Sequence, residues 1–327
     1  MNANELVEQF LSGIEAQADQ SPERNEMLRT LATRIVQLAA FDPDDGDLRV
    51  AATALNELLA AAKIFSPWRA HPKLTVFGSA RTKPGTALYE MARDLSRIMA
   101  ERGWLTVSGA GPGIMEAAAL GAGLENTLGV NITLPFEQSS NPYVDAETRL
   151  VEMKYFFTRK VALTKESIAF AIFPGGLGTM DEAFEILTLL HTGKSDPAPV
   201  VLVETADGTY WTQWRHFIDE ALIANAYVDA VDSCLYCVCH SNDDVVAEIE
   251  KFYSNYVRFE TNDGRGRIES RRLPSAEQLR ALNDQFPQFG AGSGFSLDDE
   301  HSFSFTFDGR NYVSLRLLID IVNSWTD

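Results

Sequence analysis

A glycine-rich junction between a buried strand and a helix constrains this chain most. The apolar run Ile168–Phe173 predicts a strand, and Pro174–Glu182 follows it directly. Beyond it, apolar residues recur with helical spacing at Ala183, Ile186, Leu187 and Leu190. Glycines allow a tight turn and a close approach of the backbone to a ligand. Because a helix N-terminus favours an anion, the junction predicts a phosphate-binding loop, whose residues are Gly175, Gly176, Gly178 and Thr179.

Short apolar runs alternate with helical patterns between residues 74 and 255. The predicted strands are Leu74–Gly78, Leu105–Ser108, Gly129–Thr133, Ile168–Phe173, Val200–Glu204 and Leu235–His240. Helical stretches lie between them, near residues 87–102, 113–122, 154–165, 180–192, 211–224 and 243–254. This order predicts an α/β fold with a doubly wound, Rossmann-like parallel sheet. Such sheets bind ligands beyond the carboxyl ends of their strands, where the glycine loops fall.

The flanks follow other patterns, so we predict three segments: a helical segment 1–70, a nucleotide-binding catalytic domain 71–255 and a small α+β extension 256–327. The first segment should hold helices over Asn4–Ala18, from about Pro22, and over Leu48–Phe65. The last should hold a helix over Pro274–Phe286. A hairpin should follow, pairing Ser302–Phe307 with Tyr312–Leu315 before a final helix.

Composition limits the partners. The 327 residues carry a net charge of −18, which argues against nucleic acid and anionic membranes as partners. The chain begins without the basic and apolar regions of a signal peptide, and no apolar run is long enough to span a bilayer. We therefore expect a cytoplasmic protein. A small phosphorylated ligand needs only local donors and stays compatible with the charge.

The three cysteines invite comparison with a metal site. Cys234, Cys237, Cys239 and His240 cluster within seven residues. The neighbouring β-branched and aromatic residues predict a strand, in which Cys234 and Cys237 would point to opposite faces. No second ligand pair stands at zinc-site spacing. We therefore predict reduced core thiols and no metal.

Glu182 has two interpretations. An acid beside a phosphate site indicates chemistry next to the phosphate. Thr179 and Glu182 also fit a capping box, with Thr179 as the N-cap and Glu182 folding back. A capping box requires none of the three glycines before it, which favours the first interpretation.

A second glycine loop, at Gly109, Gly111 and Gly113, follows the strand Leu105–Ser108. It departs from the dinucleotide fingerprint, because Ile114 holds the place of the third glycine. The acid expected after the next strand is also missing. A mononucleotide or ribose site is therefore preferred over NAD, and a tight structural turn is the alternative.

Three polar side chains stand near these loops. Arg159 and Lys160 follow an aromatic run, so part of their helix should be buried, and a buried arginine usually has an anionic partner. A solvated basic face is the alternative for this pair. Ser79 follows the first strand and could bind phosphate or ribose, or only form the turn.

Together these blocks resemble the Lonely Guy family, cytokinin-activating phosphoribohydrolases often labelled as a possible lysine decarboxylase. The blocks that resemble the family as a whole are Val76–Arg81, Ser108–Glu116 and Pro174–Glu182. Two others, Leu134–Gln138 and Tyr155–Lys160, are similar to a longer bacterial branch of it. The order and spacing of all these blocks cover about residues 74 to 255. Shorter members have the order Met-His-x-Arg-Lys, whereas Tyr-Phe-Phe-Thr stands before Arg159 and Lys160 here.

The resemblance implies an N-glycosidase that releases a purine-type base and ribose 5-phosphate from nucleoside 5′-monophosphates such as AMP. Arg159 and Glu182 would be catalytic. The implied substrate contacts are Ser79, Gly109, Gly111, Met115, Lys160, Gly175, Gly176, Gly178 and Thr179. It further implies a homodimer, and no cofactor is needed. The alternative is a non-catalytic carrier of a nucleotide or of the molybdenum cofactor in the same pocket. Lysine decarboxylation is the weakest hypothesis, because that chemistry normally needs pyridoxal phosphate bound to a lysine and no lysine lies in the glycine loops.

Overall fold

The computed structural model describes residues 3–15, 21–133, 140–290 and 294–325. Two compact units divide the chain, one over Met1–Asn56 and the other over Glu57–Asp327. The first unit contains helices α1 (Ala3–Glu15) and α2 (Pro22–Phe41), and helix α3 (Asp45–Phe65) begins in it. The side chain of Ser21 caps α2 by accepting a hydrogen bond from the Arg24 N–H.

A seven-stranded sheet forms the centre of the second unit, and every neighbouring pair in it is parallel. Its strands are β1 (Lys73–Phe77), β2 (Leu105–Ser108), β3 (Thr127–Ile132), β4 (Leu150–Met153), β5 (Ala169–Ile172), β6 (Val200–Val203) and β7 (Cys237–Cys239). Their order across the sheet is β4-β3-β2-β1-β5-β6-β7. The predicted doubly wound α/β fold is confirmed, and β4 is a strand that the sequence patterns did not predict.

Helices cover both faces of this sheet, so alternate residues of each strand enter two different apolar clusters. In β5, Phe170 and Ile172 face one cluster, while Ala169 and Ala171 face the other. The helices of this region are α4 (Ala87–Glu101), α5 (Ile114–Ala122), α6 (Phe156–Lys165), α7 (Leu177–Thr192), α8 (Tyr210–Phe217, continued by a π-helical turn Ile218–Ile223) and α9 (Asn242–Phe252).

The end of the chain builds a second, antiparallel sheet with the order β10-β11-β9-β8. Its elements are β8 (Tyr256–Asn262), β9 (Arg265–Ser270), α10 (Ala276–Gln285), α11 (Pro287–Gly290), β10 (Ser296–Leu297), β11 (Ser302–Thr306) and α12 (Tyr312–Ser324). The predicted hairpin was wrong in its second strand, because Tyr312–Leu315 is the first turn of α12. Leu315 and Leu318 of that helix pack into a cluster rich in phenylalanine.

The cysteines differ from the expected pattern. Cys234 lies in a 3₁₀ helix (Ala230–Leu235), so the strand predicted over Leu235–His240 begins later. Cys237 and Cys239 lie on one face of β7 with their Sγ atoms 4.0 Å apart. Within the described ranges, no group of three or more His, Cys, Asp and Glu side chains is placed to hold a metal. In the same ranges, no helix is long and apolar enough to cross a membrane.

The direction of the strand order reverses between β1 and β5. From β1 the chain adds β2, β3 and β4 on one side, then returns to place β5 on the other. Ligands of open α/β sheets bind at such a point, beyond the carboxyl ends of the strands. The turn at Gly78–Arg81 and the loop at Pro174–Gly176 follow these two strands.

Candidate active site

A cavity of about 960 Å³ opens at this switch point, and we call it the main cavity. The loops after β1, β2 and β5 line it, together with parts of α6 and α7. All predicted site residues except Lys160 reach it, namely Ser79, Gly109, Gly111, Met115, Arg159, Gly175, Gly176, Gly178, Thr179 and Glu182. Segments that are far apart in sequence therefore converge on one space. The block Leu134–Gln138, which is similar to the longer bacterial branch of the Lonely Guy family, lies outside the described residues.

Ser79 ties three loops together. Its N–H donates to the carbonyl oxygen of Pro174 at 3.1 Å, and its own carbonyl accepts from the Ile114 N–H at 3.1 Å. Its hydroxyl oxygen accepts from the Arg81 N–H at 3.1 Å, as in a serine turn. No acceptor among the described residues takes the hydroxyl proton, which leaves it for a ligand. Ser79 therefore shapes the turn and also lines the main cavity.

Two of the glycines make room for site side chains. A Cβ on Gly109 would lie 2.0 Å from Nη2 of Arg159, and one on Gly175 would lie 2.1 Å from Oγ1 of Thr179. By contrast, the positions of a Cβ on Gly176 and Gly178 have no described atom within 4 Å. The backbone there is open to the cavity. Gly109 and Gly175 thus make room for the side chains of Arg159 and Thr179, whereas Gly176 and Gly178 leave space for a ligand.

Helix α7 begins at Leu177, with Gly176 as its N-cap. Among the described residues, no side chain caps this end. The first N–H groups of a helix have no partner within the helix, so those of Leu177, Gly178 and Thr179 are available to an anion. The capping-box interpretation was wrong: Thr179 stands inside the helix, and Glu182 is one turn further along.

Glu182 is buried, with only 6% of its surface exposed. Its Oε2 atom has no hydrogen-bond partner in the described part of the chain. Burial raises the pKa of this carboxyl from 4.5 to about 7, against the opposing effect of the cations Lys160 and Arg159. The nearby carboxylates Glu185 and Asp181 raise it further. An acid with this pKa can exchange a proton near neutral pH.

Arg159 is held by backbone carbonyls. Its Nε donates to the carbonyl of Val130 at 3.0 Å, and its Nη2 donates to that of Gly109 at 3.4 Å. Burial lowers the pKa of Arg159, and the nearby Glu182 opposes that effect. No carboxylate among the described residues pairs with it within 4.0 Å, so its charge is available to a ligand in the main cavity.

Lys160, the next residue, has a different environment. Its Nζ lies 2.9 Å from Oδ2 of Asp181 and also pairs with Glu185, which joins α6 to α7. Burial alone would lower the pKa of Lys160, but the hydrogen bonds to Glu185 and Asp181 raise it. It does not line the main cavity. Its predicted contact with substrate stays a prediction.

Other residues support the site without a recognisable sequence signal. The Tyr210 hydroxyl donates to the carbonyl of Gly175 at 2.7 Å, and Nδ2 of Asn141 donates to that of Gly111 at 3.1 Å. Ala110 has a φ of +54°, in the left-handed region that non-glycine residues rarely adopt. These contacts fix the two glycine loops in place.

Comparisons with known proteins agree with this arrangement. A family model described as "Possible lysine decarboxylase" matches residues 113–249, which include Arg159 and Glu182. The matched stretch is less than half of the chain, and over that stretch the chain is similar to this family. It is the Lonely Guy family that the motifs resemble, while Ser79 and Gly109 lie before the matched stretch.

Two relatives are named cytokinin riboside 5′-monophosphate phosphoribohydrolase. The one from Mycobacterium tuberculosis is 29% identical over 134 residues, which is 40% of this chain and 65% of the relative. This chain thus spans less than two thirds of that protein. The one from Rhodococcoides fascians is 28% identical over 195 residues, 58% of this chain and 96% of the relative.

A solved structure of a molybdenum cofactor binding protein from Rippkaea orientalis is also similar. It aligns with a TM-score of 0.40 and 20% identity over 55% of this chain and 96% of that one. This likeness carries no functional argument, so function must be argued from the residues of the main cavity.

Proposed function

We propose that this protein is an N-glycosidase that hydrolyses nucleoside 5′-monophosphates to a free purine-type base and ribose 5-phosphate. The observation that carries the proposal is Glu182, a buried carboxyl group with an unpartnered oxygen in the wall of the main cavity. Leaving such an oxygen without a partner costs stability, of the order of 1–3 kcal/mol. A ligand that fills this need would explain why the acid is there.

The phosphate would bind at the start of α7. The free N–H groups of Leu177, Gly178 and Thr179 point beyond the helix, and its dipole adds a favourable field. Glu182 follows Leu177 by five residues, about 7.5 Å further along the axis at the usual helical rise. This separation is on the scale of a ribose 5-phosphate unit. One nucleotide could therefore contact both groups.

Cleavage of the glycosidic bond leaves a sugar with the character of an oxocarbenium ion, while the base departs with the bonding electron pair. The ionised form of Glu182 would stabilise the positive charge on the sugar. It would then take a proton from the attacking water as the new bond to the anomeric carbon forms. The departed base takes one proton from solvent and Glu182 returns its proton to solvent, so the cycle closes with one water consumed. Arg159 would orient the nucleotide and favour departure of the base, which gains electron density.

Pyridoxal-phosphate chemistry, which the family description "Possible lysine decarboxylase" suggests, does not fit this cavity. A decarboxylase holds that cofactor on a lysine. Among the described residues that line the main cavity there is no lysine. We derive no step through this cofactor.

The test is a panel of nucleoside 5′-monophosphates incubated with the protein, followed by separation of free bases from nucleotides. The proposal expects release of a purine-type base in step with ribose 5-phosphate, and loss of this release in Glu182→Gln. Tight binding of a nucleotide without release of base would instead favour the carrier alternative.

A further inference from the structure

Helix α6, which carries Arg159, begins without a cap of its own. Its N-cap residue is Tyr155, whose side chain makes no cap hydrogen bond with the described residues. The first N–H groups of a helix need partners from outside it, and a tyrosine ring at the N-cap offers no suitable acceptor there. The start of α6 therefore depends on another element.

Glu57 of helix α3 contacts this region on both sides of the N-cap. Its Oε1 accepts from the Lys154 N–H at 2.6 Å, and its Oε2 accepts from the Thr158 hydroxyl. The Thr158 hydroxyl also lies 2.9 Å from the carbonyl of Tyr155, but its single proton has the shorter contact with Glu57. A carboxylate at this place also suits the positive end of the helix dipole.

Glu57 is a buried acid, with 5% of its surface exposed, 101 residues before Thr158 in sequence. Buried carboxylates are uncommon unless they are paired or hydrogen-bonded. Here both oxygens are used: Oε1 binds the backbone just before α6, and Oε2 binds a side chain in its first turn. Its role is thus local to the start of α6.

The geometry of Arg159 depends on that first turn. Arg159 follows Thr158 directly, and its guanidinium group reaches the carbonyls of Val130 and Gly109. The fit is close, because a single Cβ on Gly109 would lie 2.0 Å from Nη2. A shift of α6 by a fraction of an ångström would break these contacts. Misplacement of a reacting group by about 1 Å costs up to roughly 100-fold in rate.

We infer that Glu57 is a positioning residue: it anchors the start of α6 through Lys154 and Thr158, and so aims Arg159 into the main cavity. The effect on turnover rests on the proposed function. The effect on the Arg159 side chain does not, so the two can be measured separately.

The direct readout is the Nε–Hε NMR signal of Arg159, assigned by its loss in Arg159→Lys. This proton is held between Arg159 and Val130. Glu57→Gln should move or broaden the signal without added nucleotide, and should weaken AMP binding or turnover by about 10- to 100-fold. Lys63→Gln, an exposed change on the same helix, should do neither.

A control for simple destabilisation is Val246→Ala, which trims a buried side chain of α9. It should lower the melting temperature and leave the Arg159 signal in place. If Glu57→Gln likewise lowers the melting temperature but leaves that signal unchanged, Glu57 is only structural and the inference is overturned.

Thr158 provides a second test that does not require changing the buried acid. Thr158→Val should reproduce the change in the Arg159 signal, because it removes the hydroxyl at nearly constant shape, and Thr158→Ser should restore it. In the double variant with Glu57→Gln, the effects should be less than additive, since both changes act on the same contact between Glu57 and Thr158. Additive effects would contradict the inference. If wild-type protein neither binds nor cleaves AMP, the proposed function fails, while the NMR comparison still decides the role of Glu57.

Discussion

Replacing Glu182 by glutamine should stabilise the protein while abolishing its activity. Glutamine keeps the shape of the side chain and removes the charge that burial disfavours. The pKa of Glu182 is raised from 4.5 to about 7 mainly by burial. A carboxyl group with a raised pKa contributes full stability below pH 4.5, and this contribution is lost as the pH rises through about 7. The gain from glutamine should therefore be absent below pH 4.5, grow as the pH rises from 4.5 to about 7, and stay constant above that.

The magnitude follows from the same values. The difference between 4.5 and about 7 corresponds to about 3 kcal/mol, at roughly 1.4 kcal/mol per pKa unit. This is an upper limit, because the amide of the glutamine would also be buried with few partners. In a folded unit as large as Glu57–Asp327, this gain in the free energy of unfolding should raise the melting temperature by several degrees, at roughly 2–4 °C per kcal/mol. Turnover should fall by at least about 100-fold, as for loss of one preorganised charge.

Urea unfolding and thermal melting at pH 5 and pH 8.5 measure the effect, with base release as the activity assay. Glu277→Gln is the matched control, because this exposed acid of α10 should change neither quantity. An equal loss of stability at both pH values would show that Glu182 serves as a structural hydrogen-bond acceptor. An active variant would remove Glu182 from the mechanism.

The remaining predictions concern the phosphate loop and the neighbouring cation. Gly178→Ala should fold at least as stably as wild type, since its Cβ meets no described atom within 4 Å, yet bind AMP at least about 10-fold more weakly by calorimetry. Gly175→Ala should instead lower the melting temperature, because its Cβ would lie 2.1 Å from Oγ1 of Thr179. If Gly178→Ala binds AMP as tightly as the wild type does, the ligand does not bind at this loop. Lys160→Met should shift the rising limb of the pH–rate profile to higher pH, because Lys160 lowers the pKa of Glu182. An unchanged profile would show that another group controls ionisation.

The alternation of apolar runs was enough to predict the sheet, because parallel strands buried on both faces are nearly all apolar. The same pattern did not predict β4, because Leu150–Met153 is a short strand at the edge of the sheet and contains the exposed Glu152. Tyr312–Leu315 alternates like a strand and is the start of a helix, because packing against the phenylalanine cluster overrides local preference. The predicted segment boundaries and the homodimer stay predictions.

In the site, the glycine loops and the Arg159–Glu182 pair could be predicted because each is contained in a short motif. The residues that support these loops and helices could not be predicted in this way. Tyr210 donates a hydrogen bond to Gly175, which is 35 residues away in sequence, and Glu57 accepts one from Thr158, which is 101 residues away. Hydrogen bonds across such distances leave no local pattern. If Glu57 has the role inferred above, deletion of residues 1–66 removes the anchor of α6 together with the N-terminal helices.

The most direct test of the account is the ratio of kcat/KM for AMP to that for adenosine, measured by release of free adenine at pH 7. Two charge-assisted hydrogen bonds to the phosphate would supply about 3 kcal/mol or more, so AMP should be favoured by at least about 100-fold. Glu182→Gln serves as the blank for contaminating nucleosidase. Equal cleavage of adenosine and AMP, or AMP binding with no adenine released, would contradict the account.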